Sequence, residues 1–482
     1  MPSTSNATPP TAAPTFIDSD NHQPSHSPTL VAKRKADTNA HDPTISPPPT
    51  KRKVQSTVSK SVVASFFTPT SQKPAAKTSV AWEERAPAAG VPATLLVATF
   101  CPEGSRETSS TTAKRRKVAA FDLDSTLITT ASGKKHAVNA ADWTWWDTTV
   151  PLRLRTLYDE GFAIIIFSNQ GGLVLHPEAD VKKEKGKAQS KPKAGTQDRV
   201  ASFKQKCAAV LTELGLPTTL YAATGKDRFR KPRPGMWQEM TQDLGLPGEG
   251  HEHPGLDLAG SFFVGDAAGR VAHVRNGKLV PKDFSCSDRN LAANVGVRFA
   301  TPEEYFLGEA PREFARGFDL AEYPFVGTAP PPPPVTIFSK GDGQELVVFC
   351  GPPGAGKSTF ARLHMEPLGF ERSGKSVVID NTNPDPGSRA LWIGLGKKQN
   401  ALVRCVWFKM GPAICEHNEA VRSQNKSMNP DNREPLPRIA FNSYFSRFQE
   451  PKISEGFSDI IEVPFSFSGT EEDYALWGTY WL

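Results

Sequence analysis

Asp122 and Asp124, one residue apart in the run Asp122-Leu123-Asp124-Ser125-Thr126, offer paired carboxylates that can share one Mg²⁺. The first is then free to attack phosphorus, and the second to manage the proton of the leaving group. Three further polar pairs follow in order along the chain: Ser168-Asn169, Lys231-Pro232 and Gly265-Asp266. Much later, Gly351-Pro352-Pro353-Gly354-Ala355-Gly356-Lys357-Ser358-Thr359 satisfies the spacing GxxxxGK[ST]. Backbone N–H groups of such a loop cradle the phosphates of ATP at a helix N-terminus. Lys357 would reach the β and γ oxygens and Ser358 would hold Mg²⁺, with Gly351, Gly354, Gly356 and Thr359 completing the loop.

Positioning these groups requires strands that end where they stand. Residues 118–121 read as a strand running into Asp122, 162–167 as one ending at Ser168, and 262–264 as one ending at Gly265-Asp266. Between the first two, Pro151 opens a helix with Leu154, Leu157 and Tyr158 on one face, and Gly161 stops it. Alternating strands and helices predict a parallel α/β sheet, whose ligands bind at the carboxyl edge of the strands. In the second set, residues 345–350 form an apolar strand before the glycine-rich loop, and 376–380 a strand that delivers Asp380 ahead of Asn381-Thr382-Asn383.

The chain of 482 residues holds 43 prolines, about twice the usual share, so part of it is expected to lie outside any core. Residues 1–90 read as a disordered tail, Pro-, Ser- and Thr-rich, with ten Lys or Arg against six Asp or Glu. Within it, Lys33-Arg34-Lys35 and Lys51-Arg52-Lys53 have the spacing of a bipartite nuclear localisation signal, which implies an import carrier and a nuclear protein. Val63, Phe66 and Phe67 interrupt the polar tail. Their spacing resembles a sliding-clamp-binding peptide, with Lys60 where that motif prefers Gln; a chance apolar pair is the alternative. A first body is expected over 91–326, a Pro-rich linker with five consecutive prolines over 327–343, and a second body over 344–482. No apolar run approaches the ~18 residues of a membrane span, and the six cysteines show no CxxC or Cys/His cluster for a structural zinc site. The net charge of +6 is carried by the tail and by the Lys-rich stretch 182–193, a surface insertion that either meets DNA phosphates or merely solubilises.

The ordered set of polar strand ends resembles the haloacid-dehalogenase-like phosphatases. Phe121-Asp122-Leu123-Asp124, Arg230-Lys231-Pro232, Val264-Gly265-Asp266-Ala267-Ala268-Gly269-Arg270 and Lys282-Asp283-Phe284-Ser285-Cys286 are similar, more closely, to the polynucleotide kinase 3′-phosphatase family. That resemblance implies a parallel-sheet phosphatase fused to a P-loop α/β kinase, removing 3′-phosphates from broken DNA and phosphorylating 5′-hydroxyls. It assigns Asp122 as nucleophile, Asp124 as general acid then base, Ser168 to the phosphoryl oxygens, Lys231 to charge neutralisation, and Asp266, with Asp122 and Asp124, to Mg²⁺. Ser125 stands where the family commonly has Gly, a position of small strain if its φ is positive. Trp143, Trp145 and Trp146 are expected mainly in the core, with base stacking as the alternative.

The second body shares the run 374–385, Arg422 as the arginine that clamps the transferring phosphate, and residues 448–465. The family, however, has a further strand bearing the aspartate that activates the 5′-hydroxyl between the loop's helix and the strand ending at Asp380. Here only Glu371-Arg372-Ser373 separate Phe370 from Gly374. Either a coding segment is missing from the sequence, which the intact flanks favour, or kinase chemistry has been lost; in both cases a poor kinase is expected. Phosphatase or kinase action on RNA ends or small phosphoesters, and a catalytically weak adaptor bridging the sliding clamp to repair partners, are the other readings.

Overall fold

An apolar run such as 163–167 has no polar face to give to water, so it belongs in a sheet covered on both sides. The computed structural model describes residues 80–102, 115–176, 196–246, 255–275, 277–325, 338–370, 376–429, 433–467 and 469–482, and puts the run there. The basic clusters, Val63-Phe66-Phe67, the Lys-rich stretch, the proline run and residues 371–375 lie outside the described residues.

The strands of the first body are β1 (Val80–Arg85), β2 (Leu95–Phe100), β3 (Lys117–Phe121), the short pair β4 (Ile128–Thr129) and β5 (Thr144–Trp145), then β6 (Phe162–Asn169), β7 (Thr218–Ala223), β8 (Phe262–Val264), the hairpin β9 (His273–Arg275) and β10 (Lys278–Val280), and β11 (Arg298–Ala300). Seven of them form one sheet in the order β1-β2-β7-β6-β3-β8-β11, antiparallel at β1/β2 and β2/β7 and parallel elsewhere. Side chains alternate between its faces. Ala119 and Phe121 of β3 join Ile164 and Ile166 under α1 (Val150–Asp159) and α2 (Thr196–Leu214). Val118 and Ala120 join Ile165, Phe167, Trp237 and Leu291 under α3 (Gly235–Asp243) and α4 (Ser287–Val295). Each fully buried Phe or Ile contributes roughly 1.5–3 kcal/mol. The short α5 (Pro302–Leu307) follows β11 and sends Tyr305 and Phe306 against Phe121.

The body begins earlier than the sequence reading places it. β1 lies inside the stretch read as tail and pairs with β2, Val80 opposite Phe100 and Arg85 opposite Leu95. Its sequence VAWEER carries charge and lacks an apolar run because it is a sheet edge, where charged side chains remain in water.

In the second body β12 (Glu345–Cys350), β13 (Val377–Ile379), β14 (Leu402–Phe408) and β15 (Ile460–Val463) form a wholly parallel sheet in the order β13-β12-β14-β15. After the loop, α6 (Lys357–Phe360) gives way within four residues to a π-turn over Ala361–Met365 and a 3₁₀ turn over Glu366–Leu368, and Gly369 closes it at φ +76°. Among the described residues the sheet has four strands, and β13 stands directly beside β12, with no strand between them. The remaining helices are α7 (Pro386–Lys398), α8 (Pro412–Gln424), α9 (Arg438–Arg447) and α10 (Glu471–Trp477). No helix of the described residues is long and apolar enough to cross a membrane.

Phe318 and Tyr323, at the end of the first body, pack on Trp477, and Phe318 stacks on His417 at 4.1 Å between ring centroids. The His417 ring donates through Nε2 to the Trp477 carbonyl at 2.9 Å, and burial pushes its pKa down to about 4. An unfolded His takes a proton near pH 6.5, whereas the folded ring stays neutral until about pH 4. The unfolded state thus binds more protons between those limits, and stability falls as the pH drops through them, at up to about 1.4 kcal/mol per unit. His417→Gln is expected to flatten the slope of Tm against pH over that window; an unchanged slope would show that other groups set it.

Candidate active sites

Asp122 leaves β3 in the carboxyl-edge cleft, its N–H bonded to the Val264 carbonyl of β8 at 2.9 Å. Behind it sits Lys231, only 3% exposed, whose Nζ lies 2.5 Å from Asp122 Oδ1, 2.8 Å from Asp288 Oδ1 and 2.8 Å from the Phe167 carbonyl. Burial would lower the pKa of the ammonium, but Asp122 and Asp288 outweigh it, so Lys231 is held charged with its pKa above the ordinary lysine value. The lysine's own backbone is fixed by Asn169 at the end of β6, which accepts from Lys231 N–H at 3.0 Å and donates to its carbonyl at 3.1 Å.

Asp288, in the first turn of α4, was not singled out by its sequence context. It reaches the cleft because Gly265 lacks a side chain: a Cβ there would fall 2.4 Å from Asp288 Oδ2. Asp288 also accepts from Ala267 N–H at 3.0 Å. Asp122, Asp266 and Asp288 bring carboxylate oxygens within 4.8 Å of one another. Burial pushes the Asp122 carboxyl well above its usual range, against the pull of Lys231 and with repulsion from Asp288 and Asp266 added. Burial and Asp288 push Asp266 up to about 7. Three carboxylates against one lysine leave negative charge in excess, and a hard divalent cation that takes oxygen ligands fits this donor set.

The Asp124 carboxylate is not part of that cluster. It is half exposed, bonded to Lys206 Nζ of α2 at 2.8 Å and to Gln170 Nε2 at 2.7 Å. The structure therefore separates the carboxylates of the two motif aspartates and brings that of Asp288 beside Asp122 and Asp266. Gln170 also donates to the buried Ser168 Oγ at 2.9 Å, so Ser168, Gln170, Asp124 and Lys206 form one polar row along the cleft. Neither Gln170 nor Lys206 carries a motif that could have marked it. Ser125 has φ +64°, the left-handed conformation that Gly adopts without cost. Arg270 pairs with Asp283 at 2.9 Å and Glu303 at 2.6 Å and donates to the Asp266 carbonyl at 3.1 Å, which gives the motifs around Asp266 and Asp283 a common structural task. Trp143 and Trp145 meet edge-on, half buried against the core, and Trp145 Nε1 donates to Glu213 at 2.8 Å; Trp146 packs toward Phe306.

In the second body the loop after β12 is formed by two left-handed glycines, Gly354 (φ +78°) and Gly356 (φ +79°). A Cβ on Gly354 would stand 2.3 Å from the Cys415 carbonyl, and one on Gly351 would stand 2.7 Å from Phe408 Cβ, so both glycines are needed for close packing. Lys357 Nζ donates to the Gly351 and Pro352 carbonyls at 3.1 and 2.7 Å, and burial pushes its pKa down to about 8. Ser358 Oγ donates to Asp380 at 2.6 Å, the juxtaposition expected of a Mg²⁺-bearing nucleotide site, and Thr359 is exposed on α6. The hydroxyl, the carboxylate and the N–H groups of the loop fit a magnesium-bound nucleotide. Arg422, expected to clamp the transferring phosphate, pairs through Nε and one terminal nitrogen with Glu419 one turn back on α8.

A family model described as "Polynucleotide kinase 3 phosphatase" matches residues 117–306, and one described as "AAA domain" matches 370–451. The second match starts at Phe370, the point where the sequence reading puts the break. A Schizosaccharomyces pombe protein named bifunctional polynucleotide phosphatase/kinase is 36% identical over 391 residues, 76% of this chain and 84% of that one. A polynucleotide 3′-phosphatase of Saccharomyces cerevisiae is 28% identical over 218 residues, 40% of this chain and 87% of its own. A polynucleotide 3′-phosphatase of Arabidopsis thaliana is 32% identical over 197 residues, 40% of this chain and 24% of its own.

Proposed function

The chain belongs to the bifunctional polynucleotide phosphatase/kinase family, and from that premise we propose that it removes 3′-phosphates from DNA strand breaks through an aspartyl-phosphate on Asp122. The observation that carries this reading is the buried Lys231, pinned between Asp122 and Asp288 at the mouth of the parallel strands. A fixed cation there opposes the burial that favours the neutral carboxyl of Asp122 and meets the charge that builds on the phosphoryl oxygens.

Asp122 Oδ attacks phosphorus in line with the departing 3′-oxygen, and the P–O bond to the sugar breaks as the P–O bond to Asp122 forms. Asp124, exposed and hydrogen-bonded to Lys206 and Gln170, gives the leaving oxygen its proton and then takes one from the water that hydrolyses the acyl-phosphate. Ser168 and Gln170 are placed to orient the phosphoryl oxygens. Asp122, Asp266 and Asp288 would hold Mg²⁺, which when bound screens the negative charges of nucleophile and phosphate from each other.

The second body is assigned to nucleotide binding, with Lys357, Ser358 and Asp380 as its contacts and ATP as the ligand. Its 5′-hydroxyl kinase activity is proposed to be weak. The two basic clusters of the tail support a nuclear enzyme.

The test is release of inorganic phosphate from a 3′-phosphorylated DNA oligonucleotide, compared with an RNA oligonucleotide and a 3′-mononucleotide. DNA is expected to be the best substrate, and preference for either of the others would overturn the assignment. Chelation of divalent cations is expected to stop release and added Mg²⁺ to restore it; activity that persists in chelator would contradict the role given to Asp266 and Asp288.

A further inference from the structure

The catalytic lysine is clamped from two sides. Asn169 holds its backbone on the cleft side, and on the other side Pro232, the next residue, offers its carbonyl to Asn294 Nδ2 at 2.9 Å. Asn294 stands in the last turn of α4, whose first turn carries Asp288. A single nine-residue helix thus touches the Lys231-Pro232 loop at both ends.

The rest of the Asn294 amide is spent on a segment from the other body. Its Nδ2 also donates to the Tyr480 carbonyl at 2.8 Å, and its Oδ1 accepts from Tyr480 N–H at 2.7 Å. The segment is anchored around that contact: the Tyr480 ring lies over Arg316, and Trp481, 8% exposed, has Arg233 at 6.0 Å from its ring centroid. It leaves α10 directly after Trp477, whose Nε1 donates to Asn418 Oδ1 at 2.8 Å, and Asn418 Nδ2 donates in turn to the Gly354 carbonyl of the phosphate loop at 2.9 Å.

Building on the phosphatase reading, we propose that Asn294 is a positioning residue for Lys231, and that it does this with the second body's segment around Tyr480 as its abutment. An amide with both hydrogens and its oxygen engaged cannot turn, and so the Pro232 carbonyl it holds cannot drift. The lysine is thereby kept at the reacting centre, where small displacements are costly in rate. Removing either partner of the tie relaxes the same loop, although the two residues lie 186 positions apart.

The experiment is steady-state phosphate release by the full chain carrying Asn294→Ala, Asn294→Asp, Tyr480→Pro, or Asn294→Ala with Tyr480→Pro, each with its melting curve. Asn294→Asp keeps the acceptor for Tyr480 N–H but loses both donors. Tyr480→Pro deletes that N–H from within the second body. Each single variant is expected to lower kcat about tenfold or more with KM within twofold, and the double variant to be no slower than the slower single one, because both cut one tie. Turnover within twofold of the wild type in the folded single variants, a loss confined to KM, or additive effects in the double variant would overturn the positioning role. A wild-type chain that releases no phosphate would instead remove the phosphatase reading itself, and this proposal with it.

Discussion

Asp122→Asn is expected to stop phosphate release from a 3′-phosphorylated oligonucleotide, slowing turnover by about 10⁴-fold or more. The amide has no nucleophilic oxygen of comparable strength, and no other described carboxylate combines the place of Asp122 at the end of β3 with a direct contact to Lys231 from the cleft side. Asp288 shares the lysine but stands behind it, fully buried. The loss should not be one of folding. Burial already presses the Asp122 carboxyl toward its neutral form, Asn can still accept from Lys231, and Asp288 keeps the lysine paired. The melting temperature of Asp122→Asn is therefore expected to equal or exceed that of the parent while turnover disappears. Release within tenfold of the parent would remove Asp122 from the nucleophile's place.

The second large effect concerns the other body. Measured beside the Schizosaccharomyces pombe relative, transfer of the γ-phosphate of ATP to a 5′-hydroxyl oligonucleotide is expected to be slower by about 10²-fold or more, the weight of a missing general base. The loop itself is intact: Gly354 and Gly356 take their left-handed turns, and Lys357 is buried at its mouth. What is lacking among the described residues is a carboxylate for the attacking hydroxyl. Asp380 is occupied with Ser358 at 2.6 Å, and Glu371 belongs to the stretch 371–375, outside the described residues. β13 lies directly beside β12, so among the described residues no strand delivers another. Nucleotide binding should persist while transfer fails, and inserting after Phe370 a strand and helix of the kind expected in the family, with its aspartate, should restore transfer. A rate within tenfold of the relative's from the unaltered chain would show that the segment is dispensable.

The candidate site was legible wherever a strand's end sets a residue's place. Asp122, Ser168 and Asp266 follow apolar runs that only a doubly covered sheet accommodates, and Lys231 stands in the Arg230-Lys231-Pro232 motif on the turn between β7 and α3. Asp288 was not legible, because its approach depends on the missing Cβ of Gly265 and on the path of β9, β10 and the turns before α4. Lys206 was hidden for a similar reason: on α2 it is one of two lysines, and only helix packing aims it at Asp124. Arg422 carries a contact that its motif did not announce. Its position matches the family's clamping arginine, and a carboxylate three residues earlier on the same helix face also pairs with it. Strand β1 escaped notice because an edge strand need bury only part of one face.

The tie between Asn294 and Tyr480 bears on what natural selection can discard. Were phosphoryl transfer by the second body to decay, its loop, α8 and α10 would still be maintained as the support on which the first body's lysine rests, since hydrogen bonds join Gly354, Asn418 and Trp477, and the chain runs from Trp477 directly to Tyr480 and its bonds with Asn294. An intact phosphate loop in such a chain is then no proof of a working kinase. A lineage could lose one of two trades and go on inheriting the tools of both.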